Sequence, residues 1–97
     1  METMESLFIS TKPELLVTGF VFTEGPLWHP DEVLYVSDVD AQIHYKVQLG
    51  EKVVTEVIRN SSGGANGAVF DENGCLVVCE QDARRVVRYE LDGSITV

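Results

Sequence analysis

Apolar and polar residues alternate along this chain in short bursts, and the bursts recur in the same order. Gly25–His29 is short and apolar and ends at Pro30-Asp31-Glu32, a turn signal. Val33–Val39 follows, with Leu34, Val36 and Asp38 alternating against Val33, Tyr35 and Ser37. Both faces carry apolar groups, as a sheet covered on two sides requires. Asp40-Ala41 predicts a tight turn, Ile43–Leu49 a third strand, Gly50-Glu51 another turn and Val53–Ile58 a fourth strand. Beyond the small, polar linker Arg59–Gly64 come Ala68–Phe70, Cys75–Glu80, Arg85–Leu91 and Ser94–Val97. Asp71-Glu72-Asn73-Gly74 and Asp92-Gly93, which separate them, are strong hairpin turns. No segment shows a helical period of 3.6.

The two series are one repeat. Glu24 and Asn66 stand 42 residues apart, each directly before a glycine. Overlaying 25–47 on 67–89 makes Gly25/Gly67, Leu34/Leu76, Val36/Val78, Asp40/Asp82 and Ala41/Ala83 identical. Trp28/Phe70, Asp31/Asn73, Asp38/Glu80 and Lys46/Arg88 are near matches. A period of about 40–45 residues with four short strands is the signature of a propeller blade. The predicted fold is therefore all-β: a β-propeller fragment of two four-stranded antiparallel blades. Blade one spans about 24–59 and blade two about 66–97, within a partial propeller over 15–97 that follows a lead-in at 1–14. Leu15–Phe22 is rich in β-formers and predicts an outer strand.

Two units are few. A blade buries both faces of its sheet, closed propellers have about 4–8 blades, and stable repeat proteins need about three units. The sequence also stops at Val97, inside a predicted strand, which favours a truncated gene product over a complete small domain. The alternative is assembly with other chains that complete the ring, and self-association of the truncated chain is the corresponding partner expectation.

Charge narrows the partners. The chain carries 16 acidic and 7 basic residues, a formal net charge of −9, spread along its length. This balance disfavours nucleic acid and anionic membranes as partners and is compatible with a cation site. No apolar run approaches the ~20 residues that span a bilayer. The opening METMESLFIS lacks a basic n-region, so it reads poorly as a secretory signal. Asn60-Ser61-Ser62 fits the glycosylation pattern and, without such a signal, reads as coincidence. Cys75 and Cys79 on one strand lie roughly 13 Å apart, beyond the reach of a mutual disulfide. Buried free thiols in a reducing compartment are the simplest reading, and a cytoplasmic location follows.

Equivalent positions of successive blades converge on a common axis, so Glu24 and Asn66 are the candidate site. A carboxylate and an amide carbonyl are hard oxygen donors of the kind Ca²⁺ or Mg²⁺ takes, but two are too few for a tight site. The competing reading makes Glu24 a solvated turn residue and Asn66 a turn former.

These residues also carry a resemblance. Phe22-Thr23-Glu24-Gly25-Pro26-Leu27-Trp28-His29-Pro30, followed by Leu34-Tyr35-Val36-Ser37-Asp38, resembles the opening blade of the SMP-30/gluconolactonase/LRE-like family. Gly64-Ala65-Asn66-Gly67, then Phe70-Asp71, Gly74, Leu76-Val77-Val78-Cys79-Glu80 and Arg84-Arg85-Val86, resemble its second blade. The resemblance implies a six-bladed propeller with one divalent cation on its axis, usually Ca²⁺ and sometimes Zn²⁺ or Mg²⁺. It implies hydrolysis of sugar lactones and related cyclic esters. Glu24 matches the family's first-blade metal ligand, and Asn66 an asparagine that holds substrate or a metal-bound water. The family's other ligands and its general base lie in later blades, so no catalytic residue is assigned and the chain alone is expected to be inactive. Gly64 stands where some members carry an arginine that grips substrate. The alternative functions are a non-catalytic propeller segment for protein or metal binding, or a truncated gene product.

The remaining polar and aromatic residues have structural expectations. Trp28 and Phe70 are read as blade-core packing, and His29 and His44 as exposed. Asp38 and Glu80 are expected to satisfy backbone amides at strand ends. Arg84, Arg85 and Arg88 are expected to pair with carboxylates rather than form a nucleic-acid patch.

Overall fold

A computed structural model describes residues 13–97; the greater part of the sequence-assigned lead-in lies outside the described residues. Eight strands follow one another: β1 Thr23–His29, β2 Val33–Asp38, β3 Ile43–Gln48, β4 Val54–Asn60, β5 Ala65–Phe70, β6 Leu76–Glu80, β7 Arg85–Tyr89 and β8 Ile95–Thr96. They form two four-stranded sheets, β1-β2-β3-β4 and β5-β6-β7-β8, in which every neighbouring pair is antiparallel. The all-β reading and the two four-stranded units hold.

Turn chemistry explains why the strands stop where they do. Asp71 Oδ1 accepts the N–H groups of Asn73 and Cys75, each at 2.9 Å, closing the β5–β6 hairpin. Asp92 Oδ1 does the same for Ser94 at 2.9 Å between β7 and β8. Such Asx contacts favour turns over continued strand. The linker is shorter than predicted, because β4 runs on to Asn60 through a bulge opposite His44 and Tyr45.

Side-chain alternation sorts each sheet into two faces. Ala65, Leu76, Val78 and Val87 of the second sheet are buried and pack against Leu27, Tyr35 and Ile58 of the first. Burying a valine or leucine side chain contributes about 1.5–3 kcal/mol. Phe70 completes this layer, edge-on to Tyr35 at 5.5 Å and to His29 at 5.3 Å. The far face of the first sheet is met by a strap preceding β1: Glu14–Val17 and Phe20 approach Leu34, Val36 and Val47. Phe20 lies edge-on to Tyr45 at 5.0 Å.

Three expectations are corrected here. Leu15–Phe22 does not form a strand; the N–H groups of Val21 and Phe22 bond the Asp38 carboxylate, both at 2.9 Å, instead of a neighbouring backbone. Trp28 is not blade core: it is 52% exposed, on the face of β1 that points away from the second sheet. Cys75 is a buried free thiol, but Cys79 is exposed, since alternation turns it to the open side of β6.

Candidate functional site

The inner strands β1 and β5 approach one another, and Gly25 is the reason they can. Its φ is +58°, in the left-handed region, and a Cβ there would overlap the carbonyl oxygen of Asn66. Only glycine satisfies both conditions. Both strands are bulged at the matching point, between Glu24 and Leu27 in β1 and between Ala65 and Ala68 in β5. The Ser37 hydroxyl donates to the Asn66 carbonyl at 2.9 Å and ties β2 to the same spot. Glu24 and Asn66 are thereby brought onto neighbouring strands of the two sheets.

Their side chains differ in constraint. Glu24 is exposed, and its Oε2 accepts the N–H of Gly25 at 2.8 Å. Asn66 is half-buried, and its Nδ2 donates to Gln81 Oε1 at 3.3 Å. Donation through nitrogen leaves the amide oxygen as the free acceptor of that group. Sequence reasoning missed Gln81. The repeat held a signal, because Gln81 is the counterpart of Val39, and their N–H groups bond Gly64 and Phe22 carbonyls at 3.0 and 2.9 Å. At Gly64 itself φ is +72°, and a Cβ would lie 2.6 Å from Asp82 Cγ, so this backbone does not admit a larger residue.

The donor chemistry suits a hard cation in part. One carboxylate and one amide oxygen match the oxygen ligands of Ca²⁺ or Mg²⁺, yet supply two of the six to eight that Ca²⁺ takes. Among the described residues no three His, Cys, Asp or Glu side chains converge on one point. As donor types they are suited to a portion of a coordination shell.

A second polar cluster lies between the sheets, farther out. Glu80, only 1% exposed, accepts from Arg59 of β4 and, at 2.6 Å, from Arg85 of β7. This corrects its expected role: unlike its repeat counterpart Asp38, Glu80 serves guanidinium groups and not backbone amides. Its longer side chain reaches across the sheet interface. Arg88 pairs with Glu90, as expected of it. His44, read as exposed, is fully buried; its Nδ1 lies 3.0 Å from the Tyr89 hydroxyl, and its Nε2 lacks a partner among the described residues. Burial, and then the nearby Arg59 charge, lower its pKa from 6.5 to about 4. Burial also raises the Tyr89 phenol above its ordinary value. His29 is partly exposed, and its Nδ1 accepts the Asp31 N–H at 3.1 Å.

Consecutive four-stranded meanders stacked face to face, with their first strands adjacent, define the β-propeller class. Within it the chain is similar to gluconolactonases in sequence and fold. A 6-deoxy-6-sulfogluconolactonase of Pseudomonas putida is 27% identical over 92 residues, covering 87% of this chain and 32% of that protein. A gluconolactonase of Xanthomonas campestris superposes with a TM-score of 0.70 at 25% identity, over 80% of this chain and 26% of that one. A structural-genomics protein assigned to the gluconolactonases gives a TM-score of 0.70 at 27% identity, over 82% of this chain and 28% of its own. The chain thus spans about a third of the curated relative's length. No protein-family profile matches it.

Proposed function

We propose that this chain is part of a divalent-metal-dependent hydrolase that opens sugar lactones or related cyclic esters. The approach of Gly25 to the Asn66 carbonyl carries this reading, because it sets Glu24 beside Asn66 where two sheets meet at their first strands. The likeness to gluconolactonases supplies the substrate class.

In this reading Glu24 contributes a carboxylate to a Ca²⁺ shell, with Zn²⁺ or Mg²⁺ as alternatives, and Asn66 orients an oxygen of the substrate or of water. A bound cation supplies Lewis acidity at the lactone carbonyl and lowers the pKa of a coordinated water. Asn66 does this work without titrating, and Gln81 fixes its amide. The chain contributes part of this shell and by itself is a non-catalytic portion of the hydrolase. Its two free thiols suit a reducing, cytoplasmic setting.

A Ca²⁺ titration followed by backbone and side-chain amide shifts tests the assignment. Weak binding, on the order of millimolar, is expected to move the Gly25 and Asn66 signals and to vanish in Glu24→Gln. Gluconolactone should not open faster than it does in buffer. Ca²⁺ shifts that persist unchanged in Glu24→Gln would remove Glu24 from the shell.

A further inference from the structure

Backbone hydrogen bonds hold Gln81 beside Asn66. The Gly63 carbonyl accepts the N–H groups of Asp82 and Ala83 at 2.9 and 3.1 Å, and the Gly64 carbonyl accepts that of Gln81 at 3.0 Å. Both glycines have left-handed φ, +67° and +72°, which lets the chain entering β5 lie against the turn leaving β6. A Cβ on Gly64 would come within 2.6 Å of Asp82 Cγ, so the two segments are in contact. Asn66, two residues beyond Gly64, and Gln81 therefore ride on one bonded unit.

The first repeat shows what this unit needs. Forty-two residues earlier, the Val39 N–H bonds the Phe22 carbonyl at 2.9 Å in the same way. Valine serves there, only 5% exposed, so the backbone arrangement asks for no amide side chain at this position. Glu24, the repeat counterpart of Asn66, turns its carboxylate to the Gly25 N–H instead. The Gln81 amide has one partner among the described residues, Asn66 Nδ2 at 3.3 Å. That contact uses one end of each group. It leaves an acceptor, Asn66 Oδ1, and a donor, Gln81 Nε2, on a single pair. A hydroxyl both donates and accepts and so matches such a pair, whereas an anionic oxygen group only accepts. The Glu24 carboxylate on the neighbouring strand and that of Asp82 beside Gly64 weigh further against an anion.

We propose that Gln81 reads the substrate directly. Its Nε2 donates to a ring hydroxyl of an uncharged, polyhydroxylated lactone, and that hydroxyl donates in turn to Asn66 Oδ1. This rests on the lactone-hydrolase reading above and adds to it a residue that selects hydroxylated rings over bare ones. Asn66 and Gln81 act as a pair: the first supplies the acceptor, the second the donor, and the contact between them fixes which end of each is offered.

Side-chain amide signals of the metal-free chain, followed while methyl glucopyranoside is added, test this. Two hydrogen bonds to one hydroxyl set a weak dissociation constant, about 10–100 mM, within reach of a shift titration. The Asn66 and Gln81 signals should move along one curve. Tetrahydropyran, the same ring without hydroxyls, should leave them in place. Gln81→Val, which installs the residue found in the first repeat, should weaken the Asn66 response about fivefold, the effect of one hydrogen bond. Gln81→Glu separates contact from positioning: its carboxylate still accepts from Asn66 Nδ2 but offers no donor, so it should bind as weakly as Gln81→Val. Gln81→Met takes the place of Gln81→Val should the latter lose its β circular dichroism. Native signals that ignore the glucoside, an equal response to tetrahydropyran, or a Gln81→Glu protein that binds as the native chain does would each overturn the proposal. Because no Ca²⁺ is added, failure here leaves the cation titration of Glu24 standing, and failure there leaves this result standing.

Discussion

The Nδ1 of His44 on β3 sits 3.0 Å from the Tyr89 hydroxyl on β7, joining the two sheets through a buried side-chain contact. Since His44 Nε2 lacks a partner among the described residues and Arg59 stands nearby, a proton added to this imidazole would place an uncompensated charge in the interface.

A pH dependence follows. The folded pKa of about 4 lies below the ordinary 6.5, so between those values the unfolded chain binds the proton and the folded one refuses it. Stability contributed at this site is complete above pH 6.5 and is lost as pH falls toward 4, by about 3 kcal/mol in all. Urea midpoints at pH 7.5 and 4.5 should differ more for the native chain than for His44→Gln. Equal differences would assign the dependence to other groups.

Glu80→Gln removes the charge shared by Arg59 and Arg85. Two guanidinium groups then face each other across a neutral amide, and a loss of roughly 3–5 kcal/mol is expected from breaking such a buried pair. Asp38→Asn keeps an acceptor for one of the Val21 and Phe22 amides and leaves no buried guanidinium unpaired, so it should cost less. Chemical denaturation of the two variants compares them directly.

Gly25→Ala is expected to unfold the chain or to force the sheets apart. The new methyl would occupy the Asn66 carbonyl position, and the left-handed φ adds about 1–3 kcal/mol of strain. Gly67→Ala, with open space around it, should be mild. Thermal unfolding of both proteins distinguishes a local clash from a general intolerance of side chains.

Thiol labelling should separate the two cysteines. Cys79 is exposed and Cys75 buried, so iodoacetamide should modify Cys79 in the folded chain and Cys75 only on denaturation. Mass spectrometry of the digested protein reads the order.

Much of the fold was legible because the repeat is written twice. Leu34/Leu76 and Val36/Val78 point to equivalent faces, and the glycines after Glu24 and Asn66 mark where the inner strands come close. The outer contacts were less visible. His44 follows the ordinary alternation of a strand, and alternation does not say which face is covered when both are apolar. Glu80 looked like Asp38 until Arg59, 21 residues away, came within reach. Trp28 and Phe70 share a repeat position yet differ in burial, because cover comes from a neighbouring sheet and not from the residue itself. The placement of Gln81 beside Asn66 depended on a turn conformation that no local composition announces.

Where Gly25 meets Asn66 the sheets touch backbone to backbone, while His44, Arg59 and Tyr89 fill the space between them farther out. Each layer is therefore a wedge, thin at its first strand and thick beyond, and wedges laid side by side must arch. The absent Cβ at the thin end sets the taper. A stack of such layers bends by steric volume alone, and its inner rim is where successive carboxylate and amide groups are gathered.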